Sequence, residues 1–374
     1  MQALKTAEIV IGPPRHLALL PPLEARCIPW PTPFRDGIDI LLSHRGRNVV
    51  VLASGDPFWF GAGSVLARTL GPDAWQALPG PSCFSLSAAQ MGWPLEQTTC
   101  LALHAAPFSR LRPHLAPGQR LIVTLRDGSA VAGLAAYLDG AGFGASVLSI
   151  QEALGGPRQR RRDLPAHSPM PDDIQHPVCV AFTVAGEGTV VPVVSGRPDA
   201  LFDNDGQITK RPVRALTLSA LAARPGEHLW DIGAGSGSIG IEWLLSHPSL
   251  TATAIEPRPD RAERIRANAD GLGCDRLQIV TGAAPEALEG LAAPDVVFVG
   301  GGLDAALLAR LLALPNGTRI VANAVTLETE AVLVAAQAEH GGTLLRAALS
   351  SVRAIGPKHG WQAAFPIVQW SHTL

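Results

Sequence analysis

The run Asp231-Ile-Gly-Ala-Gly-Ser-Gly237 limits the folds open to this chain more than any other segment. It follows the apolar stretch Leu229-Trp-Asp-Ile232 and precedes a helical pattern reaching His247, so it reads as a strand, a glycine-rich turn and a helix. Glycines at such a turn let the backbone approach a ligand, and the helix that follows points free N–H groups at it. The next strand, Thr251 to Ile255, ends at Glu256, nineteen residues after Gly237. A carboxylate there can accept hydrogen bonds from both hydroxyls of a ribose, which suits any adenosine ligand.

The overlapping Gly235-Ser-Gly-Ser-Ile-Gly240 also fits the dinucleotide pattern G-x-G-x-x-G. Three features favour S-adenosylmethionine over a dinucleotide. Asp231 closes the strand just before the glycines. Gly282-Ala-Ala-Pro-Glu286 follows the third strand, where an adenine edge would lie. The sheet is expected to end in a hairpin, built from Ser350 to Ile355 and Ala363 to Trp370 around Gly356-Pro-Lys-His-Gly-Trp361. A dehydrogenase and a purely structural glycine turn remain the alternatives.

The rest of the C-terminal half continues the alternation. Strands are expected at Leu277 to Val280, Asp295 to Val299 and Thr318 to Asn323, with helices over Asp304 to Leu314 and Glu328 to His340. A further helix carries Arg261, Arg264 and Arg266 on its polar side. This is a doubly wound α/β sheet with an antiparallel edge. The N-terminal half is also α/β, with strands at Val49 to Ala53, Leu121 to Thr124, Ala145 to Ile150 and Val178 to Val184. Helices are expected over Gly61 to Leu70, Ser82 to Met91 and Ser129 to Leu138. Gly155-Gly-Pro-Arg-Gln-Arg-Arg-Arg-Asp163 reads as a basic loop, either a solvated turn or a clamp for an anionic substrate. A chain of 374 residues is long for one core. A seam rich in Gly, Pro, Asp and Asn over residues 185–212 places the boundary near Ser195 to Pro198, giving domains 1–196 and 197–374.

Hydrophobic residues make up 47% and charged residues 17%, which excludes a disordered chain. The net charge of -2 argues against nucleic acid as a partner. Five scattered cysteines without a C-x-x-C pair, and histidines without ligand spacing, give no sign of a zinc site or a disulfide framework. No apolar run reaches the roughly 18 residues needed to span a bilayer. Met1-Gln-Ala-Leu-Lys-Thr-Ala-Glu is not a signal peptide, so a cytoplasmic protein with no membrane partner is expected.

Several segments resemble one family of corrin-forming enzymes. Phe202-Asp-Asn-Asp-Gly-Gln-Ile-Thr-Lys-Arg-Pro-Val-Arg-Ala-Leu-Thr217, the segment Leu229 to Trp243, Ala283-Ala-Pro-Glu-Ala-Leu288 and Val299-Gly-Gly-Gly302 are similar to the C15-methylating, decarboxylating (CbiT-like) subunits. Ser54-Gly-Asp-Pro-Phe-Trp-Phe-Gly61, Pro79-Gly-Pro-Ser82 and His104 are similar to the C5-methylating tetrapyrrole methylases (CbiE-like). Together they resemble the fused decarboxylating precorrin-6Y C5,15-methyltransferases (CobL type) of cobalamin biosynthesis.

The resemblance implies a tetrapyrrole-methylase-like first domain and a Rossmann-like class I methyltransferase second domain. It implies two methyl transfers from S-adenosylmethionine to a metal-free precorrin, at C5 and C15, with loss of CO₂ from the C12 acetate. It assigns cofactor contacts to Thr209, Gly233, Ala234, Gly235, Ser236, Gly237, Glu256 and Ala284, and a second-domain site to Ser54, Asp56 and His104. A plain helix N-cap is the alternative for Thr209. The family suggests a homo-oligomer through the C-terminal domain.

Two departures stand out. Family members open on a strand of the type Val-x-Val-Val-Gly-x-Gly-Pro-Gly, whereas this sequence opens on what matches the next segment, Met1 to Gly12. The expectation is a first domain without that strand, from a gene start placed too late or from an impaired domain. His104 is followed by Ala105-Ala106 where the family has Gly-Arg.

Methyl transfer needs mainly alignment of a carbon nucleophile with the sulfonium methyl. Decarboxylation needs carboxylates held by arginine and one proton donor. Arg211, Arg214, Lys358 and His359 are the candidates near the cofactor face, with a surface loop as the alternative for His359. An RNA or protein methyltransferase, a chain in which only the C15 half works, and a non-catalytic cofactor-binding scaffold are the competing readings.

Overall fold

The computed structural model describes residues 2–374 and divides them into two compact units. One holds residues to Ala105 together with Gly118–Gly186; the other holds Ala106–Pro117 and Glu187–Leu374.

The first unit contains two sheets. Strands β1 (Ile9–Gly12), β2 (Arg26–Pro29) and β3 (Val49–Val51) form a parallel sheet in the order β2-β1-β3. The second sheet has the order β4-β5-β8-β6-β7, from β4 (Thr98–Ala102), β5 (Arg120–Thr124), β6 (Val147–Glu152), β7 (Arg160–Pro165) and β8 (Val178–Thr183). Only β4 and β5 pair parallel; the other contacts are antiparallel. Helices α1 (Gln2–Thr6), α2 (Pro14–Leu17), α3 (Asp36–Leu42), α4 (Gly63–Leu70), α5 (Cys83–Met91) and α6 (Ala130–Gly140) complete it.

The expected basic loop at Gly155–Asp163 is half strand. Arg160 and Arg162 project from β7 and both bind Glu152 and Asp173, at 2.5–2.9 Å. Glu152 is fully buried, so its charge requires these partners. Two of the arginines read as an anion clamp are therefore spent inside the fold, and Arg161 pairs with Asp163.

In the second unit, β9 (His228–Ile232), β10 (Thr251–Glu256), β11 (Gln278–Thr281), β12 (Val296–Val299) and β13 (Arg319–Ala324) run parallel. Two antiparallel strands, β14 (Thr343–Ala347) and β17 (Ile367–Thr373), finish the order β11-β10-β9-β12-β13-β17-β14. Helices α7 (Arg211–Leu221), α8 (Ser238–Ser246), α9 (Pro259–Gly271), α10 (Ala305–Leu312) and α11 (Leu327–His340) pack on it. Alternate strand residues enter opposite cores: Leu229, Val296 and Phe298 in one, Trp230, Ile232, Val297 and Val299 in the other. Both faces of the sheet are thus covered, which is why the strands read as continuous apolar runs.

The order of the edge corrects the expected terminal hairpin. Ser350–Ile355 is a strand (β15), but it pairs with β16 (Lys358–Ala363) in a separate two-stranded sheet. The antiparallel strands of the main sheet are β17, which starts at Ile367, and the edge strand β14, which the sequence reading missed. The cause is that one apolar-looking stretch from Ala363 to Trp370 covers the end of one hairpin and the start of another strand.

Residues 106–117 pack within this unit although they lie far upstream. Arg110 makes a two-pronged pair with Asp275, at 2.9 and 2.8 Å. A side chain at Gly273 would meet the Ser109 carbonyl. Among the described residues no helix is long and apolar enough to cross a membrane.

Trp370 anchors the edge: it is fully buried, and its indole N–H donates to the Gly341 carbonyl at 2.9 Å. Trp370→Ala should lower the unfolding free energy by about 3–5 kcal/mol in urea denaturation.

Candidate functional site

The sheet order reverses at β9, whose neighbours are β10 and β12, and ligands of open α/β sheets bind at the carboxyl end of such a switch point. The glycine turn lies there. Gly233, Gly235 and Gly237 all have positive φ, of 70°, 60° and 74°. A Cβ at Gly233 would stand 3.0 Å from the Gly301 carbonyl, and one at Gly237 would stand 2.7 Å from Ile265. The turn thus needs glycine for conformation and for space. Gly300 N–H donates to the Ile232 carbonyl at 2.9 Å, so the expected Val299-Gly-Gly-Gly302 segment borders the same turn.

Glu256 ends β10 and is buried. One of its oxygens accepts from Gly235 N–H at 2.8 Å and the other from Arg258 N–H at 3.1 Å. Each oxygen keeps a further lone pair for a ligand hydroxyl. Ala284 lies partly buried after β11, among Ala287, Leu288 and Leu291.

A flap formed by residues 199–210 reaches this turn: the Gln207 carbonyl lies 3.6 Å from where a Gly235 side chain would begin. Asp205 and Gln207 bind Arg261 of α9 at 2.9 and 2.8 Å, and Arg264 pairs with Asp203. Asn268 of the same helix accepts from Asp203 N–H and donates to the carbonyls of Asp203 and Ser236, all at 2.9 Å. It joins flap to turn. The sequence reading missed Asn268, although its spacing from Arg261 and Arg264 puts it on the face that carries them.

Thr209 is not a helix cap; Lys210 occupies that position and makes no side-chain bond. The Thr209 carbonyl instead accepts from Arg214. This corrects the role expected of Arg214. It is completely buried, binds Glu242 at 2.6 Å and Asp199 at 2.9 Å, and also donates to the Arg197 carbonyl. A guanidinium with these partners has no face left for substrate and gives up no proton. It holds the flap. Lys358 and His359 lie on exposed β16, which pairs only with β15, and none of their contacts reaches the glycine turn. Their separate two-stranded sheet keeps them off the edge of the main sheet.

In the first unit, the two motifs singled out in the sequence meet. A Cβ on Gly55 would stand 2.9 Å from Ser82 Cα, and Gly80 N–H donates to the Gly55 carbonyl at 3.3 Å. Ser82 caps α5 by accepting from Ser85 N–H. Asp56 accepts from Phe58 N–H at 2.8 Å. Ser54 lies between Arg15 and His16, each 3.1 Å away. His104 is exposed and hydrogen-bonds to neither Ser54 nor Asp56.

Fold and site together define a two-domain methyltransferase. Residues 1–162 match the family described as Tetrapyrrole (Corrin/Porphyrin) Methylases, and residues 200–374 match the Precorrin methyltransferase domain. A Sinorhizobium precorrin-6Y C(5,15)-methyltransferase (decarboxylating) is 46% identical over 98% of this chain and 90% of its own length. The enzyme of that name from Mycobacterium tuberculosis strain CDC 1551 / Oshkosh is 40% identical over 99% of this chain and 94% of its own. A crystal structure of the C-terminal domain of precorrin-6Y C5,15-methyltransferase from Rhodobacter capsulatus is 51% identical, covering 49% of this chain and all of that one with a TM-score of 0.48. The chain belongs to the decarboxylating precorrin-6Y C5,15-methyltransferase family.

Asp231 carries an unusual charge state for a carboxyl. It is fully buried, with one oxygen accepting from Gly240 N–H at 2.9 Å and the other without a partner. Burial pushes it up to about 7, against the Gly240 bond, with the nearby Glu256 charge adding to the rise. The folded protein therefore keeps a proton that the unfolded chain releases near pH 4. Stability contributed this way is complete below that pH and is lost as pH rises towards 7. Asp231→Asn should flatten this dependence. Urea denaturation at pH 5 and pH 8 checks it: the wild type should lose more stability between the two than the variant, and equal losses would mean an ionised Asp231 throughout.

Proposed function

We propose that this chain methylates precorrin-6Y at C5 and C15 with S-adenosylmethionine and removes CO₂ from the C12 acetate, giving precorrin-8X. The observation that carries the reading is a glycine turn at the switch point, under a flap, in a chain that aligns end to end with enzymes named for these steps. The donor set suits the cofactor. Gly233, Ala234, Gly235, Ser236 and Gly237 supply a backbone cradle, and Glu256 offers lone pairs for the ribose. Ala284 would border the adenine and Thr209 would close the flap side. Buried oxygens of Asp231 and Ser236 lack partners inside the protein, as expected of groups kept for a polar ligand. S-adenosylmethionine supplies an electrophilic methyl; the chain's task is to bind it, exclude water and align the macrocycle carbon. The first unit would act at C5 through the Ser54–Asp56 turn, and the second at C15.

Incubation of the purified chain with methyl-labelled S-adenosylmethionine and precorrin-6Y tests this. Two methyl groups and one CO₂ per macrocycle are expected. One methyl with CO₂ would confine the activity to the second unit, and neither product would overturn the reading. Glu256→Ala should raise the KM for S-adenosylmethionine in C15 methylation about tenfold or more, leaving C5 methylation unchanged.

The second unit is also proposed to assemble with copies of itself through β15 and β16. An isolated two-stranded hairpin is marginal in water. This one exposes Val352 and Trp361 as a cross-strand pair, with Phe365 following at 87% exposure. Light scattering should give an oligomer for the wild type and a smaller species for the double variant Val352→Ser, Trp361→Ser. An unchanged mass would place the interface elsewhere.

A further inference from the structure

Arg15 stands in the first unit without an acid. It is exposed on α2, shortly after β1, and among the described residues no salt bridge reaches it. Unlike a free surface arginine, it is held at both terminal nitrogens. One donates to His176 Nε2 at 2.6 Å and the other to Ser54 Oγ at 3.1 Å. Both partners are neutral. A guanidinium only donates, so His176 Nε2 must be the unprotonated nitrogen and its ring uncharged. The nearest carboxylate influence on His176 comes from Asp127, which is already engaged by Arg126, Ser129 and Ala130 N–H.

His16 strengthens the pattern. Its Nε2 lies 3.1 Å from Ser54 Oγ, and its Nδ1 is buried without a partner. If Ser54 gave its proton to His16, a buried Nδ1–H would be left unpaired. The cheaper tautomer has Nε2–H donating to Ser54. Ser54 then accepts from two sides, and its own O–H is left for something else. Burial and the Arg15 charge both hold the His16 ring in its neutral form. Of the five guanidinium N–H groups of Arg15, two are spent and three remain.

A fixed positive charge, three open N–H donors and a spare hydroxyl suit one ligand chemistry. We propose that Arg15, oriented by His176 and Ser54, binds a carboxylate of the molecules that react in the first unit. The rings of Phe58, Trp59 and Phe60, which follow Ser54 closely in the chain, are exposed and offer apolar surface. That pairing fits a flat macrocycle edged with carboxylates, and the methionyl carboxylate of the methyl donor has the same chemistry. The inference rests on the proposed C5 methylation for the identity of the ligands, and on the Arg15 geometry for the site.

Calorimetric binding separates the two, because it needs no turnover. Wild type, Arg15→Gln and Arg15→Lys are titrated with S-adenosylhomocysteine and with precorrin-6Y. Arg15→Gln should weaken one of them about tenfold or more at the first-unit site, with Arg15→Lys in between, because a charge-assisted pair is lost and then partly restored. Weakening of S-adenosylhomocysteine assigns the carboxylate to the methyl donor; weakening of precorrin-6Y assigns it to the macrocycle. Less than a twofold change in both overturns the proposal. C15 methylation with CO₂ release by the same variants should match the wild type, which excludes general unfolding. Failure of the wild type to methylate C5 would sink the functional reading alone, because the binding comparison stands apart from it.

Discussion

The buried carboxylate of Glu242 governs the arrangement of the second unit. It lies on α8, the helix that begins where the glycine turn ends, and has no exposure. Its oxygens accept from Gly196 N–H, Arg197 N–H and Arg214, at 2.6–2.9 Å. A buried charge survives only with such partners, and losing one typically costs 3–5 kcal/mol. Arg214 passes this constraint outward to Asp199 and the Thr209 carbonyl, at the two ends of the flap. Asn268 fixes the flap from the other side. Turn and flap are thereby set relative to each other before any ligand arrives, which is the arrangement that lets binding energy go into orientation.

The two candidate sites hold their charges in different ways. In the second unit every buried arginine near the flap faces a carboxylate, so the network is internally neutralised and rigid. In the first unit Arg15 is held by neutral groups and its charge stays available. The first pattern builds structure; the second keeps electrostatic capacity for a partner molecule.

Most of the second unit was legible from periodicity, because its central strands are buried on both faces and the glycine turn punctuates them. Three of the strands that escaped reading lack this contrast, while β1, buried throughout, is only four residues long. β14 and β16 are largely exposed, and β2 carries Arg26 and Pro29 at its ends. The glycine turn, Glu256 and the flap threonine were recognisable as local motifs. The role of Arg214 was not, because whether an arginine faces solvent or a buried Glu242 depends on a contact twenty-eight residues away. The same limit hid Arg15, whose partners Ser54 and His176 come from two distant loops. Lys358 and His359 looked close to the cofactor face only while the hairpin that carries them was taken for the sheet edge.

The segment at residues 106–117 makes the second unit discontinuous in the gene. During synthesis it leaves the ribosome long before α9 and the Asp275 carboxylate exist, so Arg110 must wait for its counter-charge while the intervening strands of the first unit are made. The order of birth and the order of assembly are therefore different for this chain. A fragment starting at the seam would present the surface around Gly273, just after α9, without the stretch of chain that packs on it here.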